Sequence, residues 1–255
     1  MADVAPRARP TLSAFVICKD EADGIGACLE SLRFCDEIVV LDSGSTDGTQ
    51  AIARTHTDRV FEQPWLGFGP QKNAALDRCT GEWVLSVDCD ERVTPELRER
   101  ILQAVAAPQG HAAFAVRRRN TLFGRPVRFG DWVRDRPVRL FRRAAGRFSP
   151  DAVHERVLVQ GSVGALTGTL EHHTFRDMHA MVETMNRYSD LSAQLPGKRG
   201  SPPAIALLRS VGAFIRGYML RGGFLDGWAG LLVAVSTAEG TFWRHAKRWE
   251  RSRRS

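Results

Sequence analysis

An alternation constrains this chain more than any other feature. Four short apolar runs, LSAFVIC (12–18), EIVVLD (37–42), RVFEQ (59–63) and WVLSVD (83–88), are separated by stretches of helical periodicity at 23–33, 49–55, 70–79 and 94–105. Ile25, Leu29 and Leu32 form one helical stripe, and Leu97, Ile101 and Val105 another. Pro70 is expected to open the third helix. Thr94 is expected to cap the fourth, with Pro95 at its first position. Strands alternating with helices at this spacing imply βαβ units and a parallel sheet.

Ligands of such sheets gather where strands end at their carboxyl termini. Asp20 and Glu21 follow the first run, Asp42 closes the second, and Asp88 and Asp90 close the fourth in VLSVDCDER. Two aspartates one residue apart at a strand end can hold one hard divalent cation, Mg2+ or Mn2+, with phosphate oxygens completing its shell. A solvated strand end has the same pattern. Asp42 likewise reads either as a ligand-binding acid or as a turn residue capping SGSTDGT. Lys72 reads either as a phosphate contact or as a solvated helix-face lysine.

Beyond residue 112 the pattern changes. AAFAVRRRN, RPVRLFRR and VHERVLVQG read as arginine-rich strands, 177–195 as a helix, and PGKRGSPP (196–203) as a linker rich in helix breakers. Residues 204–249 are apolar and helical, but Arg209, Arg216, Arg221 and Asp226 interrupt them, so a spanning helix is not expected. They fit a helix pair on a membrane surface, with Phe214, Tyr218, Phe224, Leu225, Trp228 and Leu232 turned to lipid or to the core. The tail RHAKRWERSRRS would add attraction to anionic headgroups. A hairpin packed on the rest of the chain, or a dimer contact, fits the same residues. A boundary is expected near 176, giving an α/β domain (1–176) and a helical extension (177–255).

The net charge of +7 favours anionic partners. A rim of carboxylates would repel a nucleic-acid backbone, so no nucleic acid is expected. Five cysteines, an odd count without zinc-site spacing, fit a reducing compartment. The opening MADVAPRARP lacks the apolar core of a signal peptide.

ICKDEADGIGACLESL, IVVLDSGSTDGT, WLGFGPQKNAAL and WVLSVDCDERV, in this order and spacing, resemble the inverting nucleotide-sugar glycosyltransferases of family 2 over about residues 11–176. RPVRLFRR, VHERV and RGGFLDGWAGLLVA resemble a narrower set, the bacterial β-glucosyltransferases of lipopolysaccharide core assembly. The resemblance implies a Rossmann-like glycosyltransferase A fold with a mixed, mainly parallel sheet. It implies metal-dependent inverting transfer of a hexose, glucose in the narrower set. The donor would be a nucleotide diphosphate sugar, usually UDP-linked, and the acceptor a sugar of a membrane-borne glycolipid. It also implies a cytoplasmic protein, peripheral on the inner membrane.

By the same resemblance Glu21 and Asp42 bind the nucleoside, Lys72 touches the diphosphate or its sugar, and Arg139 and Arg142 neutralise the diphosphate or an acidic acceptor. Asp88 sits near ribose and metal, Asp90 ligates the metal, and His172 lies near metal or diphosphate. The catalytic base falls on Glu155 of VHERV, where the family more often has Glu-Asp; Asp151 and Asp131 remain alternatives. Two rivals stay open: sugar transfer to polyprenyl phosphate, and a non-enzymatic basic module binding nucleotides or nucleic acid.

Overall fold

The computed structural model describes residues 10–151, 155–195 and 200–254. The N-terminal stretch read for a signal peptide is therefore outside the described residues except for Pro10, as are Val153 and His154 of VHERV and the PGKR of the linker. The chain divides into two compact units. The first comprises the residues up to Arg118 with Arg136–Glu171, and the second comprises Arg119–Asp135 with His172–Ser255.

The first unit opens as β1 (Leu12–Cys18), α1 (Ala22–Glu30), β2 (Glu37–Asp42), α2 (Thr49–Arg54), β3 (Val60–Glu62), α3 (Phe68–Leu76), β4 (Trp83–Ser86), β5 (Glu91–Val93) and α4 (Pro95–Ala106). In chain order there follow β6 (Ala113–Leu122), β7 (Arg125–Pro126), β8 (Val138–Arg142), β9 (Gly146–Phe148), β10 (Val157–Val159) and β11 (Val163–His173), of which β7 and the last residues of β6 and β11 belong to the second unit. The sheet runs β3-β2-β1-β4-β8-β6-β11-β5, with β7 beside β6 and a separate β9–β10 pair. Strands β3, β2, β1 and β4 are parallel, whereas β8 runs antiparallel to β4 and β6 antiparallel to β8.

The alternation of side chains along β1 sends Leu12, Ala14 and Val16 into a core with Ile25, Leu29, Leu97 and Ile101. Phe15 joins Val39, Leu41, Leu76, Phe141 and Phe148 on the other face. Burial on both faces explains why β1 reads as an unbroken apolar run. Each fully buried Leu or Ile in these layers contributes about 1.5–3 kcal/mol.

Thr94 caps α4 as expected, its Oγ1 accepting from Leu97 N at 3.3 Å, with Pro95 at the first position. Helix α3 starts at Phe68, ahead of Pro70, because Gly67 turns the chain at φ 96°. Pro70 then lies in the first turn, where its missing N–H leaves no bond unmade. A Cβ on Gly69 would stand 1.9 Å from the Ser149 carbonyl oxygen, so only glycine permits this approach of α3 to the chain after β9. Asn73 locks the contact, donating to Phe148 O at 2.9 Å and accepting from Phe148 N at 2.9 Å.

The second unit contains α5 (Met178–Gln194), α6 (Pro203–Ile215), a wide π turn (Arg216–Leu220), a 3-10 turn (Gly223–Asp226) and α7 (Trp228–Arg254). Helix α7 continues through the basic tail as one 27-residue element. The core of this unit is Leu122, Val127, Met181, Ala229 and Val233, with Leu232 packed against it. Asp226 Oδ2 accepts from the N–H groups of Arg128 and Phe129 at 2.9 and 2.8 Å, fastening the 119–135 arm. Phe224, Leu225 and Trp228 are exposed, as are Leu208 (71%) and Leu220 (79%). No described helix is long and apolar enough to cross a membrane.

Candidate active site

The loops after β1 and β2 are laced together. Asp20 sits at φ 53°, in the left-handed region, and its Oδ1 accepts from Thr46 N at 2.8 Å. Its own N–H donates to Ser45 Oγ at 2.8 Å, and Glu21 N donates to Thr49 Oγ1 at 2.8 Å. The Glu21 carbonyl accepts from Gly24 N and Ile25 N, starting α1, and the residue is exposed.

Asp42 is fully buried at the end of β2. Its Oδ1 accepts from Gly44 N (2.9 Å), Ser45 N (2.8 Å) and Gln50 Nε2 (2.7 Å), and its Oδ2 accepts from Ser45 Oγ. Burial acts to raise its pKa, but the hydrogen bonds from Ser45 and Gln50 outweigh burial and hold the carboxyl below its ordinary value. Here the side chain caps the SGSTDG loop.

Asp88, just past β4, is satisfied by cations instead. Lys72 Nζ from α3 lies 3.0 Å from Oδ1, while Arg139 Nη2 from β8 contacts Oδ2 and Arg118 Nη2 from β6 stands 3.4 Å from Oδ2. Burial opposes ionisation, but Arg139, Lys72 and Arg118 overcome it and hold the Asp88 carboxyl well below the usual range. Burial likewise acts to lower the Lys72 pKa and Arg139 adds to that, yet Asp88 and Glu155 carry it above its ordinary value. Lys72 Nζ also stands 2.8 Å from Glu155 Oε1 and 5.6 Å from the centre of the Phe148 ring. Glu155 thus meets Lys72, a residue 83 positions earlier, through the α3 contact that Gly69 permits.

Sequence reasoning gave no task to Glu91 and did not single out Arg118. Glu91 is fully buried, with Arg139 Nη2 at 2.6 Å and Arg118 Nη2 at 2.7 Å from its Oε1. Arg139 is itself buried, its charge shared between Asp88 and Glu91. The available signal was the third acid in DCDE. Asp90, on the same turn, is partly buried.

His172 belongs to the second unit. Asn120 donates through Nδ2 to Trp132 O at 2.6 Å, which turns its Oδ1 toward His172 Nδ1, 2.6 Å away. An amide oxygen can only accept, so Nδ1 is the ring nitrogen that donates to Asn120. Of the alternative bases, Asp131 is ion-paired with Arg221 and with Arg216 (3.4 Å), and the exposed Asp151 accepts from Ser149 Oγ at 2.7 Å. No group of three or more His, Cys, Asp or Glu poised to hold a metal occurs among the described residues. Asp88 and Asp90 place two carboxylates on one turn, the donor type that a Mg2+ or Mn2+ ion takes, with both Asp88 oxygens engaged by Lys72, Arg139 and Arg118.

A parallel βα half-sheet with an acidic turn at its carboxyl rim, joined by antiparallel strands, is the frame of a sugar-transfer enzyme of the glycosyltransferase A type. The family model for glycosyl transferase family 2 matches residues 13–156, and the chain belongs to that family. It is 36% identical over 251 residues to the lipopolysaccharide core biosynthesis glycosyltransferase LpsC of Rhizobium meliloti, covering 92% of this chain and 93% of that one. An uncharacterized glycosyltransferase of Rickettsia typhi is 27% identical, covering 96% of this chain and 88% of its own. Among solved structures, the mannosyltransferase PcManGT of Pyrobaculum calidifontis, in complex with GDP-Man and Mn2+, matches with a TM-score of 0.55 at 19% identity, covering 97% of this chain and 90% of that one. The protein is thus a glycosyltransferase that resembles lipopolysaccharide core enzymes, and its fold is the one expected from sequence.

Proposed function

We propose that this protein transfers a hexose, glucose in the first instance, from a UDP-sugar to a sugar of a membrane-borne glycolipid such as lipopolysaccharide core, with inversion and with a divalent metal. The observation that carries the reading is Lys72, held between Asp88 at 3.0 Å and Glu155 at 2.8 Å beside the carboxyl end of β4. One cation there touches both the acid assigned to the nucleotide side and the acid assigned as base. A nucleotide sugar and Mn2+ are present in the PcManGT complex, and LpsC is named for lipopolysaccharide core biosynthesis; both support the assignment.

Each residue then has a task. Glu21 and Asp42 lie on the laced loops that would receive the nucleoside. Lys72 exchanges carboxylate partners for diphosphate oxygens when the donor arrives. That exchange frees Glu155 to take the proton of the attacking acceptor hydroxyl. Asp90, with Asp88 beside it, would hold the divalent ion, which when bound neutralises charge on the departing diphosphate. Arg139 acts through Asp88, whose Oδ2 it contacts. Positive charge develops on the sugar as its bond to phosphate loosens, so the diphosphate contacts matter most at that stage.

The second unit supplies the membrane contact. Its Leu208, Leu220 and Leu225 are exposed, as are Arg209 and Arg216, and a unit that presents both apolar and basic side chains suits an anionic bilayer on the cytoplasmic face.

Asp90→Ala is expected to abolish turnover while the circular dichroism and melting curve stay native; full activity would remove the metal role. Glu155→Gln should still bind donor and fail to transfer; normal turnover would move the base elsewhere. Labelled sugar transfer to a lipopolysaccharide core acceptor, compared with polyprenyl phosphate, decides the acceptor. Thermal shifts with several nucleotide diphosphates and Mn2+ decide the donor.

A further inference from the structure

Glu91 makes more of the site than any residue the sequence pointed to. Its Oε2 accepts the Asp88 N–H at 2.9 Å, and its own N–H donates to the Asp88 carbonyl at 2.9 Å. Its Oε1 takes Arg139 at 2.6 Å and Arg118 at 2.7 Å, the same two guanidiniums that reach Asp88 Oδ2. One buried carboxylate therefore closes the turn carrying Asp88 and Asp90, and also holds part of the positive charge that would otherwise fall on Asp88. Arg92 holds the turn from its other side, donating to Cys89 O at 2.7 Å and to Gly24 O of α1 at 2.6 Å.

Among the described residues, the ion pairs of this cluster set Lys72, Arg118 and Arg139 against Asp88, Glu91 and Glu155, three cations against three carboxylates. Burying such a set is a poor route to stability, because well-packed apolar residues of similar volume do as well or better. Its use is to fix where charge sits. Without Glu91, Asp88 is the carboxylate that both guanidiniums still reach, and they compete with any ligand for its oxygens.

We infer that Glu91 is a positioning residue for transfer: it shares Arg118 and Arg139 with Asp88 and so sets the negative charge and the orientation that Asp88 offers to the nucleotide and its cation. This rests on the reading of the Asp88–Asp90 turn given above. Groups around a metal ligand commonly change metal affinity by about 10–100-fold when removed.

The test uses the full chain, Glu91→Gln, and the double variant Glu91→Gln/Arg118→Gln, which restores charge balance. In ligand-free protein Glu91→Gln should lower the melting temperature by about 10 °C, and the double variant should recover more than half of that loss. Mn2+ binding in the presence of UDP, read by the electron paramagnetic resonance of free Mn2+, should weaken about tenfold or more in Glu91→Gln and return toward wild type in the double variant. A double variant that melts no higher than the single one overturns the charge-sharing argument. Recovery of melting with Mn2+ and UDP binding unchanged in Glu91→Gln makes Glu91 merely structural and overturns the positioning role. Wild type that binds neither Mn2+ nor UDP removes the reading of the turn itself, and the inference with it, a result distinct from the other two.

Discussion

The first unit hides charge and the second displays hydrocarbon. Lys72, Glu91 and Arg139 are buried beside β4, while Leu208 and Leu220 of the second unit are 71% and 79% exposed. Each departs from the usual partition of side chains between interior and surface, and each departure is the informative kind. A buried charge survives only with partners in good geometry, so its neighbourhood is defined by chemistry. An exposed apolar residue has no partner in the folded chain, so its neighbourhood is defined by what comes to it. The first unit can therefore be tested by removing partners, the second by offering a surface.

The largest effect is expected at Lys72. Lys72→Met keeps the stem and removes the charge, leaving Asp88 and Glu155 without their shared cation. Breaking a buried pair from one side costs about 3–5 kcal/mol, which urea unfolding would register. Loss of a diphosphate contact made in the transition state should reduce kcat about 10²–10³-fold. If stability falls while kcat per folded molecule does not, Lys72 serves the fold alone.

Asp42 sharpens the contrast within the first unit, because neutral donors satisfy it while cations satisfy Asp88. Asp42→Asn turns an amide N–H₂ toward donors and should cost about 1–3 kcal/mol, less than Lys72→Met. Both carboxyls are held below their ordinary values, Asp42 by hydrogen bonds and Asp88 by cations. The unfolded chain thus binds protons first as pH falls. The stabilisation is complete above about pH 4 and is lost as pH drops through the folded values. Acid titration of stability should therefore be shallower below pH ~4 in Asp42→Asn than in wild type. An unchanged acid limb would mean that Asp42 ionises alike in both states.

What could be read from the sequence follows from this same division. The βα repeats were legible because burial on both faces writes an apolar run, and a helix writes a stripe. Asp42, Asp88 and Asp90 were legible as strand ends. Glu91 and Arg118 were not, since hydropathy scores a buried acid and a solvated one alike. Their placement depends on β8 pairing antiparallel with β4 and β6 antiparallel with β8, pairings with no local signature. Arg139 was found through resemblance, but its double contact with Asp88 and Glu91 was not. The short strand β5 was missed because three residues carry no period. Glu155 was assigned by motif position; its contact with Lys72 depends on Gly69, whose missing side chain acts at a distance in sequence.

The smallest effect on stability, and the clearest separation of the two regions, is expected from Leu208→Ser with Leu220→Ser. Both side chains stand in solvent, so each change should alter unfolding free energy by no more than about 0.5 kcal/mol. Sugar transfer to a detergent-soluble acceptor should be unchanged, because neither residue touches the charged cluster. Flotation with vesicles containing anionic lipid should fall sharply, since each buried leucine contributes about 1.5–3 kcal/mol to insertion at the interface. Raising salt should weaken what remains, because the exposed Arg209 and Arg216 of this unit act through a screened field. Retained vesicle binding at low and high salt would place the lipid contact elsewhere. A large loss of stability would mean that this surface is covered in solution, by a second copy of the chain, and sedimentation would then show the dimer.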